Sequence, residues 1–428
     1  MSTLSQKAIS ANLKPARSRL AIGKIFLFQL AMVYVMDWWF PYQGDGSSVR
    51  FWPHVFRAIF VLQLLGYLVV HVRQALKLPI ARFQFLWFSI LTLRFALGGN
   101  FDVQNFLYMS YYAYWILVMW TAYCLVQDGC LEARSAVITA ELMNVLFMLR
   151  MALYGLWGVW LGDTGNLSDQ VGTIANSAYP LLWFTLMLTL DTTVPLAKPI
   201  TLFSVVAIVL TMKRGAFLAL LLGAMAYGIV YAYTNRQNRG VQKVIKFAVV
   251  ATLVIGLTVW SRASQLAERW SEIQDPNGGG SGRGEFWMII ALHWLSADPI
   301  TKLIGFGAHS TFDLTGQFWL AEIPAHNDWL QMLHEFGVIG VLALAGVFWA
   351  FAKSIPRLVR DCPKMAPVYC AALAGAFCTT VFDLFSYNTE TGFFSVLVAI
   401  PLGLSAKVRS ANMAKKPLSS QTAVVRTR

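Results

Sequence analysis

Charge is scarce in this chain. Of 428 residues only 13% are Asp, Glu, Lys or Arg, about half of the ~25% usual in soluble domains. Cysteine is scarcer still. All five (Cys124, Cys130, Cys362, Cys370 and Cys378) fall in apolar runs or beside basic segments. This excludes a disulfide framework, and the lack of any CxxC pair excludes a cysteine metal site. Also missing are the GxxxxGK[ST] phosphate loop and the HExxH metal pair. No internal repeat and no soluble domain of any size can be found, and no A-x-A cleavage site follows the first apolar run.

What is present is grease: 57% hydrophobic residues and a mean hydropathy of +0.56. Apolar runs of about 20 residues recur, each long enough for a ~30 Å hydrocarbon core. In lipid the backbone must satisfy its own hydrogen bonds, so the expected fold class is an all-α integral membrane protein. Twelve spans are expected, at residues 21–40, 54–72, 83–98, 106–126, 136–161, 173–190, 197–212, 215–233, 244–260, 328–352, 366–385 and 391–407. The stretch 197–233 cannot be one helix, because its length would reach about 55 Å. Lys213-Arg214-Gly215 is its polar interruption and must break it. The domain plan is a leader at 1–20, spans one to nine within 21–260, a large outside loop at 261–327, spans ten to twelve within 328–407 and a basic tail at 408–428. With the N-terminus inside, only Arg50, Lys213, Arg214, Arg262, Arg269, Arg283 and Lys302 of the 34 basic residues lie outside, apart from Arg57, Arg94 and Arg150 within spans. That bias places both termini in the cytoplasm. The net charge of +13 then follows from topology and calls for no nucleic acid, while the tail suits anionic membrane lipid.

The outside loop combines a Gly-rich run, QDPNGGGSGRGE at 274–285, with FWMIIALHWLSADP at 286–299, too short to span and suited to lie at the interface. No D-x-D pair occurs in any outside loop, so the acidic metal-binding signature of many glycosyltransferases is absent. Where the loop re-enters the bilayer the sequence reads PAHNDWLQMLHEFGVIG, residues 324–340. A helix is expected to start near Asn327, capped by Asn327 or Asp328. His326 would lie at the positive end of its dipole, which disfavours imidazolium and suits a general base. Asn327, Gln331, His334 and Glu335 then form one polar stripe that must face the bundle interior. His326 and His334 are eight residues apart, about 12 Å and some 80° around a helix, and cannot share a metal ion. Arg57, Arg94, Arg150, Glu141 and Glu335 within spans suit either interhelical ion pairs or a polar cargo path. Lys213, Arg214 and Arg283 suit either snorkelling to headgroups or an anion site, since arginine matches phosphate oxygens bidentately. The sixteen Trp and fifteen Tyr suit either a sugar-binding vestibule or interfacial belts, the belts being the safer assumption.

Two arginines and a neutral histidine on one outer face would serve a metal-free transfer from a lipid pyrophosphate. The pattern His326, Asn327, nine residues, Gly337, two residues, Gly340 resembles the motif of the O-antigen ligase and polymerase superfamily of bacterial envelope glycosyltransferases. Arg214 in TMKRGAFLALLLG resembles that family's hairpin arginine, and Arg283 in SGRGEFW, followed by LIGFGAHSTF, resembles its loop arginine and G-x-G element; the likeness runs over about 198–404. The resemblance implies a multi-pass enzyme of the bacterial inner membrane with a periplasmic active site. Its donor would be an undecaprenyl-pyrophosphate-linked glycan, and its acceptor either lipid A-core, as in a ligase, or a second lipid-linked glycan, as in an O-antigen or exopolysaccharide polymerase. It implies an inverting reaction without metal or other cofactor, with His326 as base, Arg214 and Arg283 on the pyrophosphate, and Lys213, Asn327, His334 and Glu335 in support. The alternative is a transporter or flippase of lipid-linked sugars that uses arginines spread through the bilayer.

Overall fold

The structure is a computed structural model describing residues 17–39, 51–98, 103–152, 178–211, 213–235, 242, 283–319, 324–386 and 390–414. The first part of the leader, the ninth expected span at 244–260, most of the Gly-rich run, the end of the tail and the side chains of Arg150 and Arg283 lie outside what is described. Every regular element among the described residues is a helix: α1 (Arg17–Trp39), α2 (Phe51–Ala75), α3 (Ala81–Gly98), α4 (Val103–Gln127), α5 (Ala133–Met151), α6 (Ala178–Leu188), α7 (Ala197–Leu210), α8 (Arg214–Thr234), α9 (Arg283–Ser296), α10 (Pro299–Ile304), α11 (Ser310–Trp319), α12 (Asp328–Asp361), α13 (Ala366–Phe382) and α14 (Thr391–Ala414). Six of them, α1, α2, α4, α8, α12 and α14, are long and apolar enough to cross a membrane, and α6, α7 and α13 are apolar but shorter. Outward-facing residues such as Val69 and Val70 are apolar and three-quarters or more exposed, as the lipid side of a span requires. The protein is an all-α integral membrane protein.

The bundle is centred on α4 and α14, which run along each other. Glycine on α14 permits the close approach, since a Cβ on Gly403 would stand 2.6 Å from Val126 Cγ1. Ser395 Oγ donates to the Trp115 carbonyl at 2.8 Å across the same seam. Some of the aromatics lie in the core. Trp87, Trp115, Trp183, Tyr34, Tyr108, Tyr112, Tyr114, Tyr123, Tyr179 and Tyr369 are fully buried. Edge-to-face pairs such as Phe385–Phe394 at 4.7 Å and Trp183–Phe394 at 5.4 Å make them core packing. The break expected near Lys213 is present. α7 stops at Leu210 and packs on α5 and α6, whereas α8 starts at Arg214 and packs along α13. Small residues bring α8 and α13 together, a Cβ on Gly223 meeting the Ala371 carbonyl at 3.2 Å.

α12 is two helices joined at Gly337, whose backbone (φ 65, ψ −164) is not helical. The chain leaving α10 docks into that kink. Asp298 caps α10 by accepting from the Ile300 and Thr301 amides, and the Thr301 hydroxyl and these amides hold its carboxyl below the usual range. α10 ends at Gly305, φ 78. The next two amides continue onto α12: Phe306 N donates to the His334 carbonyl and Gly307 N to the Glu335 carbonyl, both at 2.9 Å. A Cβ on Gly305 would lie 2.3 Å from the Glu335 carbonyl, and one on Gly337 2.3 Å from the Leu303 carbonyl. Arg94 of α3 secures the turn, donating to the Ile304 and Gly305 carbonyls at 3.1 and 2.9 Å. It is committed to backbone carbonyls rather than to an interhelical ion pair. Arg57 lies 4.1 Å from the Tyr111 ring centroid.

This docking predicts that Gly337→Ala and Gly305→Ala each destabilise the protein by more than the ~1–3 kcal/mol of a left-handed non-glycine residue. Gly66→Ala, with open space at its Cβ, should leave thermal unfolding in detergent unchanged or raise its midpoint. Unaltered midpoints for both kink variants would mean that the two backbones do not meet.

Candidate active site

Among the described residues two that are not glycine have positive φ, and both are histidines: His309 (φ 70) and His326 (φ 49). Such a backbone is strained for a residue with a Cβ, and strain of this kind gathers at functional sites. His326 immediately precedes Asn327, the cap of α12, whose side chain accepts from Leu330 N at 2.9 Å. The His326 ring is turned to Asp383, with Nδ1 3.1 Å from Oδ1. The other oxygen of Asp383 lies 2.8 Å from Lys213 Nζ. The Asp383 side chain is 8% exposed and that of His326 32%, so the carboxylate is buried between its partners while the imidazole stays partly exposed. A carboxylate on Nδ1 fixes the proton there and leaves Nε2 as the nitrogen with a free lone pair. His326 is therefore oriented by an acid from another segment.

Three distant stretches supply this row, and local chemistry explains each. Asp383 ends α13 and accepts from Leu384 N at 2.9 Å. The chain beyond it is tied to the start of α12 by the buried Asp328, which accepts from Phe385 N and Ser386 N at 3.0 Å and from Ser386 Oγ at 2.9 Å. Asp328 thus does not cap its own helix but anchors the segment that presents Asp383. Lys213 stands just before α8, its ammonium 5.0 Å from the Tyr179 ring centroid. Gly215 lets α8 begin this close: a Cβ there would lie 2.3 Å from the Tyr179 hydroxyl and 2.9 Å from Phe382 Cβ. Arg214, the first residue of α8, is exposed beside Lys213.

The rest of the polar stripe is buried, as its position on the helix required, but it serves a neighbouring cluster. His334 Nε2 lies 2.9 Å from His293 Nδ1 of α9, and its Nδ1 lies 3.2 and 3.3 Å from the Ser310 and Thr311 hydroxyls of α11. Its ring stacks on Phe306 at 4.7 Å. Glu335 accepts from the Tyr108 hydroxyl at 2.7 Å and from Gln331 Nε2 at 3.1 Å. His334 and Glu335 therefore act on the packing of α9 to α11 and do not join the His326–Asp383–Lys213 row. That packing still reaches His326. Phe286 and Ile290 of α9, Leu314 of α11 and Ala325 form a small separate core. The Trp287 indole donates to the Ala325 carbonyl at 2.7 Å, and Ala325 N donates to Gln331 Oε1 at 3.1 Å. Arg283 is the first residue of α9, one turn before Trp287.

Of the residues picked from sequence, His326, Asn327, Lys213 and Arg214 are thus brought to one end of the bundle, and Arg283 opens the helix docked beside them. Asp383 was missed. It lies at the end of the expected span 366–385, and its signal was a lone carboxylate closing an apolar run at the same membrane face as Lys213 and His326.

Residues 199–345 match the family model described as O-antigen ligase. The match takes in Lys213, Arg214, α9 to α11 and the whole motif from His326 to Gly340, and it stops short of Asp383. No curated protein matches the chain. Over these residues, which hold Lys213, Arg214, His326 and the whole motif, the chain is similar to the O-antigen ligase family.

Proposed function

We propose that the protein is a membrane glycosyltransferase that moves glycan from an undecaprenyl-pyrophosphate-linked donor to an acceptor hydroxyl at the periplasmic face of the bacterial inner membrane. The observation that carries this reading is the part-exposed His326 ring, whose Nδ1 is engaged by an Asp383 carboxylate that Lys213 also holds, which leaves Nε2 for the substrate. In the reaction, Nε2 accepts the proton of the acceptor hydroxyl as its oxygen attacks the anomeric carbon. The bond from that carbon to the pyrophosphate oxygen breaks, and the lipid pyrophosphate leaves with the electron pair. Asp383 offsets the charge that develops on the imidazole, a role that positioned general bases require of their partner. Arg214 and Arg283 neutralise the pyrophosphate, which lets the transfer run without a metal. A flippase reading draws less support, because Arg94 is occupied by the Ile304 and Gly305 carbonyls and is not held ready for a passing phosphate.

The test is transfer by the purified protein in liposomes given the lipid-linked glycan and, separately, lipid A-core or more of the same lipid-linked repeat. One new product on lipid A-core identifies a ligase and a ladder on the lipid-linked repeat a polymerase. Movement of labelled lipid between leaflets with neither product would refute the proposal.

His326→Ala should abolish transfer while the protein still folds, and near-normal turnover would remove the general base. Asp383→Asn keeps the shape but loses the charge, and should lower kcat by roughly 10²-fold or more. Arg214→Lys retains charge but not the two-pronged geometry. It should lose most activity in the same assay; full activity would remove Arg214 from the pyrophosphate.

A further inference from the structure

His326 is the hinge between two peptides that are each pinned. On its C-terminal side the chain is already helix: Asn327 caps Leu330 N, and the Asn327 carbonyl accepts from Gln331 N at 2.9 Å. On its N-terminal side, the peptide plane that sets φ of His326 carries the Ala325 carbonyl, and this oxygen receives the Trp287 indole N–H at 2.7 Å. One bond earlier, Ala325 N is held by Gln331 Oε1 at 3.1 Å. The Gln331 amide cannot turn over without loss. Its Nε2 donates to the Tyr108 hydroxyl and to Glu335, so only Oε1 is left to face Ala325. Ala325 itself is fully buried, and in such surroundings these hydrogen bonds are strengthened. With both flanking peptides fixed, the left-handed backbone of His326 is the conformation that joins them, and it aims the ring at Asp383.

We propose that Trp287 and Gln331 are positioning residues for His326, acting through the two backbone groups of Ala325, with Glu335 and Tyr108 setting the Gln331 amide. The proposal rests on the reading of His326 as the general base. It gives the buried stripe a role in the reaction without contact with substrate. It also makes α9, the helix that begins at Arg283, part of what orients the base, so donor binding and base alignment share one element.

The experiment uses the full chain in liposomes with the lipid-linked donor and whichever acceptor supports transfer. Trp287→Phe keeps an aromatic ring in the α9 core and removes the N–H. Its kcat should fall about 10–100-fold, as misplacement of a catalytic group does, with KM for the donor within about twofold and the melting midpoint held. Gln331→Met, which removes the acceptor on the other side, should show the same split. Phe286→Leu is the comparator, because it loosens the small core that includes Ala325 while leaving both hydrogen bonds to Ala325 in place, and it should lower the midpoint with a smaller change in kcat than either variant. Wild-type kcat in both Trp287→Phe and Gln331→Met would overturn the proposal. So would losses that track the melting midpoint as they do in Phe286→Leu, which would reduce both residues to packing. His326→Ala separates this idea from the one beneath it. If that variant is inactive while Trp287→Phe is fully active, the base stands and the positioning role falls; if it transfers normally, both fall together.

Discussion

The site depends on a contact between two stretches of backbone, the turn at Gly305 and the kink at Gly337. Neither position has room for a Cβ, and both have the positive φ that glycine adopts freely. Their meeting lets the amides of Phe306 and Gly307 complete carbonyls of α12 that the kink would otherwise strand. In an apolar surround an unpaired carbonyl is costly, so the turn and the kink stabilise each other and neither is tolerable alone. Once they are joined, α10 and α11 have a fixed seat on α12, and α9 is held against them by His293 and Phe286. The position of His326 follows from that seat.

The second constraint is electrostatic. Asp383 and Asp328 are buried carboxylates in a molecule with little polar surround, where an isolated charge is severely disfavoured. They are satisfied in different ways. Asp328 is ringed by three hydrogen-bond donors from one short segment and is a structural anchor. Asp383 faces an ammonium and an imidazole, groups from two other parts of the chain. Removal of either partner would strand the charge, which makes the row self-specifying: α8, α12 and α13 must end at the same level for any of the three residues to be satisfied.

Local features of this design could be read in the sequence. The break at Lys213, the Asn327 cap, the histidine poised before a helix and the inward stripe all depend on neighbours within a few residues, where propensity and period suffice. The α9 helix at 283–296 was likewise legible from its Trp-rich apolar run. Long-range features were not. Asp383 is 57 residues from His326, and Arg94 is about two hundred residues from the carbonyls it holds; no periodicity signals such pairings. The buried aromatics were illegible for a related reason. A Trp in a span has the same local pattern in a belt or in a core, and only the packing of α4, α6 and α14 decides that Trp115 and Trp183 lie inside.

The spacing of the family motif has a mechanical meaning in this fold. Nine residues separate Asn327 from Gly337, about two and a half helical turns and some 13 Å of rise. One end of that short helix must carry His326 opposite Asp383, and the other must carry the glycine that receives the Gly305 turn. Between them, Gln331 and Glu335 have to fall on the side of Tyr108, and His334 on the side of His293. One residue more or less would rotate the two ends by about 100° relative to each other and leave buried polar groups facing apolar walls. The motif therefore acts as a ruler, and its glycines define where the histidine stands.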